Sequence, residues 1–143
     1  MLMKITTNSH LDHGLSQRLV NLISEKYADR EKFFIDTFTI PEDCPSVPCS
    51  LHAEVPEHEC FYRRRKGRKT WSRMTTRRLT YSDKVTVIGG MSNGECILFT
   101  AYGGPLAPRE PGDADIADAT EATKSFLFWR SHALCASAFE LEA

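Results

Sequence analysis

The 143-residue sequence contains no apolar run approaching the ~20 residues that a membrane-spanning helix requires, so no such helix is expected. The first ten residues, Met1 to His10, carry one lysine and no apolar block ahead of a small-residue cleavage site. No export signal is therefore expected, and the cytoplasm is the default address. Cysteine is sparse and odd in number: Cys44, Cys49, Cys60, Cys96 and Cys135 form no dense framework, which favours reduced thiols over a disulfide scaffold. Internal repeats and low-complexity segments are absent. The Gly89-Gly90 and Gly103-Gly104 pairs open no helix at the spacing of a P-loop or dinucleotide fingerprint. With no nucleophile elbow and no paired-carboxylate motif either, nucleotide-driven or triad chemistry has no support, and no cofactor is implied.

One further absence points to function. Between Tyr62 and Arg78 there is no acid, while nine Lys or Arg residues crowd the same stretch: Arg63, Arg64, Arg65, Lys66, Arg68, Lys69, Arg73, Arg77 and Arg78. The whole chain has 18 basic and 19 acidic residues, a net charge of −1, so the remainder is distinctly acidic. A local cationic field of this kind suits a polyanion, or an acidic partner inside or outside the chain. Guanidinium forks match phosphate oxygens, and Tyr62 and Trp71 offer rings on which bases can stack.

The 41% hydrophobic and 26% charged composition is that of an ordinary globular protein, and one domain spanning 1–143 is expected. Leu15, Leu19, Leu22, Ile23 and Tyr27 recur at helical spacing, which predicts a helix over about 13–28, started by Ser9 or Asp12. Phe33 to Ile40 alternates, with Phe34, Asp36, Phe38 and Ile40 on one face, and reads as a strand stopped by Pro41. A Pro-rich connection follows, with a short edge strand near 50–53. Strands are expected over 59–63 and 70–81, joined at Lys66-Gly67-Arg68, the second half-exposed because it is laden with arginine. Asn93-Gly94 predicts a tight hairpin joining 84–91 to 95–102, because both turn positions tolerate positive φ. Pairing outward from it sets Ile88 opposite Phe99 and Val87 opposite Thr100. Both faces of that hairpin are largely apolar, so a central place covered on both sides is expected. Pro105, Pro108 and Pro111 suggest an extended path, and a helix is expected over about 115–136. The fold class expected is α+β: an N-terminal helix, a four- to five-stranded mostly antiparallel sheet with the central hairpin 84–102, and a C-terminal helix.

Candidate chemistry centres on few residues. Thr100 and Tyr102 end a central strand beside a Gly-Gly break, a place where polar side chains commonly line sites. Tyr102 suits a proton donor and Thr100 a contact to a substrate oxygen. His13, His52 and His58 are candidate bases near neutral pH, whereas His132, on an aromatic helix, reads as structural. Cys44, Cys49, His52, His58 and Cys60 lack the tight Cys-x2-Cys spacing of a zinc knuckle, and no metal site is expected from them.

A first helix, a sheet after it, arginines on a middle strand and the Thr100/Tyr102 pair ending a later one together resemble the small bacterial ribonuclease toxins of the RelE and barnase-like broad group. The resemblance lies in Tyr62 to Tyr102. It implies metal-independent attack of an RNA 2′-hydroxyl on phosphate. Arg73 would steady the phosphorane, and Thr100, Tyr102 and His13 would act at the reacting atoms. Arg63, Arg64, Arg65, Arg68, Arg77 and Trp71 would contact the nucleic acid. Two alternatives remain open at this point: a non-enzymatic domain of antitoxin or regulatory type docking on an acidic protein, and a small-ligand pocket at Tyr102-Gly103-Gly104.

Overall fold

In the computed structural model, which describes Leu2–Glu142, two helices and ten strands form mixed sheets. The strands are β1 (His10–Leu11), β2 (Phe34–Thr39), β3 (Val47–Cys49), β4 (Leu51–His52), β5 (Cys60–Arg63), β6 (Ser72–Thr75), β7 (Thr80–Ser82), β8 (Lys84–Ser92), β9 (Glu95–Gly103) and β10 (Ala133–Cys135). The helices are α1 (Gln17–Lys26) and α2 (Ala119–Trp129). The single four- to five-stranded sheet expected from the sequence is instead divided into sheets β1-β9-β8-β2 and β4-β10-β6-β5 and a β3-β7 pair. No helix among the described residues is long and apolar enough to cross a membrane. Main-chain contacts group the chain into two compact units. The first is formed by Met1–Cys49 and Tyr81–Leu106, the second by Ser50–Thr80 and Ala107–Ala143.

In the first unit, α1 begins at Ser16, whose side chain accepts from the Leu19 amide, so neither Ser9 nor Asp12 caps it. Its apolar stripe, Leu19, Ile23 and Tyr27, packs on Phe34 and Phe38 of β2, Val85 and Val87 of β8, and Leu98 and Ala101 of β9. Each fully buried aliphatic side chain of this kind contributes roughly 1.5–3 kcal/mol. The Asn93-Gly94 turn forms as its residues dictate, with φ of 52° and 78°. The register does not run outward unbroken. A bulge between Ile88 and Gly89 sets Ile88 opposite Thr100 and Val87 opposite Ala101. The extra residue brings Ala101 into the core beside Leu98, where strict alternation assigns it to the other face. The second face carries half-buried Ile88, Phe99, Thr100 and Tyr102 with exposed Ile35, so the hairpin is not sealed on both sides as expected.

In the second unit, β6 runs antiparallel to β5 and parallel to β10, and β4 edges the sheet. The C-terminal helix is shorter than its periodicity suggests. It starts at Asp118, which accepts from the Glu121 amide, and stops at Trp129, and the chain then supplies β10.

Candidate nucleic-acid interface

Strands β5 and β6 place Tyr62 opposite Arg73 and Arg63 opposite Ser72. Because β6 lies inside the sheet, all four of its residues are buried, Arg73 included at 6% exposure. This corrects the expectation of an open, half-exposed arginine strand. The Arg73 guanidinium donates to the Val55 carbonyl at 2.8 Å and the His132 carbonyl at 3.1 Å, and meets the mostly exposed Glu57 carboxylate at 3.4 Å. A buried cation must be met by such partners, so Arg73 clasps three segments of the unit together.

The other cations divide in two. Arg65 is half-buried, ion-paired to Glu110, and donates to Ser72 Oγ at 3.3 Å. Arg77 grips Glu59 with two bonds of 3.1 and 2.9 Å, which holds the Glu59 carboxyl below its usual range and raises the guanidinium. Lys66 lies 3.7 Å from Glu140. The partners are Glu57, Glu59, Glu110 and Glu140, whereas Glu121 is engaged by Arg109. By contrast, Arg63, Arg64, Arg68, Lys69 and Arg78 are exposed and form no ion pair among the described residues. The Arg64 guanidinium lies over the exposed Trp71 ring, 5.8 Å from its centroid. Gly67, with φ of 83°, shapes the turn, and the chain near its C-terminal end straps it in place: the Lys66 amide donates to the Glu140 carbonyl and the Glu142 amide to the Arg64 carbonyl.

Beside this hairpin lies a cleft of about 400 Å³ within the second unit. Tyr62 and Arg73 reach it from β5 and β6, and Trp71 from the residue before β6. Phe126 and Trp129, one helical turn apart on α2, form the opposite lining with Arg130. Trp129 Nε1 donates to the Pro108 carbonyl and Ser125 Oγ to the Arg109 carbonyl, which fixes the proline-rich segment so that Glu110 enters the lining. Tyr62 donates to the Glu57 carboxylate at 3.2 Å. Among the described residues, Arg73 Nε and Glu110 Oε1 are buried without a hydrogen-bond partner. Glu57, Glu110, Phe126 and Trp129 were not singled out by the sequence pattern. The i, i+3 spacing of Phe126 and Trp129 marks a shared helix face, but an aromatic helix face reads first as core.

The proposed catalytic set is split. Thr100, Tyr102 and His13 belong to the first unit and Arg73, His52 and His58 to the second. His13 is exposed in the turn after β1. His52 Nε2 lies 2.6 Å from the Arg78 carbonyl, and His58 is exposed in a short 3-10 turn. His132 stacks on Phe128 with ring centroids 3.7 Å apart and bonds its carbonyl, a structural role. The histidine that adjoins Thr100 is His10, its direct partner in the parallel β1-β9 register. Ile35, Ile88, Thr100 and His10 thus form one cross-strand row on the face away from α1, and Thr37, Thr86 and Tyr102 form the next. Only long-range register brings His10 there, so a linear reading prefers His13.

Among the described residues no group of three or more His, Cys, Asp or Glu side chains is arranged to hold a metal ion. Compared with family models, curated proteins and solved structures, the chain matches none.

Proposed function

We propose that the protein binds single-stranded RNA through the basic turn and exposed rings of its second unit. The observation that carries this reading is the exposed set Arg63, Arg64, Arg68 and Lys69, free of carboxylate partners, with Arg64 laid over the exposed Trp71 ring and Tyr62 nearby. Unpaired guanidinium and ammonium groups take phosphates, and exposed rings take bases regardless of sequence. The test is fluorescence anisotropy of a labelled single-stranded RNA over a salt series. Affinity should fall with salt, and the combined Arg64→Ala, Arg68→Ala, Lys69→Ala variant should flatten the slope by roughly 0.7 for each phosphate no longer neutralised. Absence of binding at low salt removes the reading, as does a slope untouched by the three substitutions. Equal or tighter binding to polyglutamate would favour an acidic protein partner instead.

A second reading, RNA cleavage without a metal, draws on the His10–Thr100 pairing with Tyr102 in the adjoining row. In it, His10 takes the proton of a 2′-hydroxyl, the oxygen attacks the neighbouring phosphorus, and Tyr102 protonates the departing 5′-oxygen, which leaves a 2′,3′-cyclic phosphate. RNA incubated with the protein and a chelator should yield that cyclic end, and His10→Ala should abolish it while binding persists. Uncut RNA under these conditions ends the second reading alone.

A further inference from the structure

We infer that the cleft between β5-β6 and α2 is a nucleobase pocket, one that accepts the base of a nucleotide whose phosphate faces the basic turn. The inference deepens the RNA-binding reading and rests on it for the phosphate, but its own support is separate. Burial of large aromatic rings drives folding, yet Tyr62, Trp71 and Phe126 remain 47%, 58% and 60% exposed around one opening. The volume, about 400 Å³, falls in the range of small-ligand pockets.

The polar lining sets the chemistry. Three buried side-chain polar atoms lack a hydrogen-bond partner among the described residues, and two of them, Arg73 Nε and Glu110 Oε1, belong to residues that line this cleft. Folding normally leaves few such atoms, so the hydrogen bonding of this lining is incomplete, and at the opening itself the mostly exposed Glu57 carboxylate offers acceptors and the exposed Arg130 guanidinium offers donors. A nucleobase edge presents an N–H beside a carbonyl or ring nitrogen, and its flat face stacks on exposed rings. The charge balance argues against a cationic ligand: Arg65 already holds Glu110, Arg73 meets Glu57, and Arg130 adds positive charge to the lining. An anionic group attached to the ring finds Arg64, Arg68 and Lys69 exposed on the turn next to Trp71.

The protein carries its own reporter, because both of its tryptophans, Trp71 and Trp129, line the cleft. The full chain is titrated with each of the four ribonucleoside 5′-monophosphates and with ribose 5-phosphate while tryptophan emission is followed. At least one nucleotide should quench saturably and ribose 5-phosphate should not. Phe126→Ala, an exposed helix position, should weaken that nucleotide about ten-fold or more, as loss of a stacking ring does. Trp71→Phe keeps a ring and should retain binding with a smaller signal. No saturable quenching by any nucleotide up to about 10 mM overturns the pocket, as does equal quenching by ribose 5-phosphate or indifference to Phe126→Ala. If the pocket fails in this way while a single-stranded oligonucleotide still binds with a salt slope, the RNA-binding reading survives alone. Loss of oligonucleotide binding as well removes both.

Discussion

Tyr27 is fully buried between α1 and β2, and its hydroxyl donates to Asp36 at 2.8 Å. Burial and that bond raise the phenol far above its ordinary value, and the same bond holds the Asp36 carboxyl below its own. A carboxyl lowered in the folded state adds stability above its unfolded pKa of about 4, and that stability is lost as pH falls through the lowered value. Tyr27→Phe should therefore cost about 1–2 kcal/mol at neutral pH in denaturant melts, and less below pH ~4. Arg73 invites a second residue-level test. If it serves as a clasp, Arg73→Lys cannot reproduce the fork to two carbonyls and should destabilise the second unit by about 1–3 kcal/mol, read by thermal melting. The sequence shows Arg73 as one cation among nine. Its burial depends on β10, about sixty residues further on, so nothing local could reveal it.

At the scale of elements, what was legible was local. The Asn93-Gly94 turn, the alternation of β2 and the stripe of α1 follow from backbone preference and period. What escaped lay outside period and turn preference: the bulge that moves Ala101 into the core, and the strand at 133–135, set by its distant neighbours β6 and β4, that periodicity assigns to a helix. Glycines separate the two kinds of constraint. At Gly94 a Cβ meets nothing within 4 Å, so Gly94→Ala should cost only its positive φ, about 1–2 kcal/mol. At Gly103 a Cβ would stand 2.2 Å from the Pro48 carbonyl oxygen, a backbone atom that cannot swing aside. Gly103→Ala should cost the upper end of about 1–3 kcal/mol or more, and urea unfolding of the two variants side by side checks the order.

For the whole molecule, the near-zero net charge conceals local imbalance, and carboxylates spaced far apart in sequence neutralise some of the cationic run and spare the rest. That partition was invisible in composition, as was the division of candidate residues between units. The thiols offer a global check on compactness. Burial pushes Cys60 and Cys96 above the ordinary thiol range, so less thiolate is present at neutral pH. Their labelling by an aromatic disulfide should be slower than that of a free thiol at pH 7, rise as pH climbs past 9, and become fast on unfolding.

Both units are assembled from stretches that do not follow one another, 1–49 with 81–106 and 50–80 with 107–143. On the ribosome this order has a cost in time. Synthesis must reach the hairpin at 84–103 before the earliest segment finds its sheet, and the cationic hairpin waits in turn for the strand at 133–135. Until residues 132–135 have been made, Arg73 therefore lacks one of the carbonyls that hold it, and the inner strand that carries it has only one of its two neighbours.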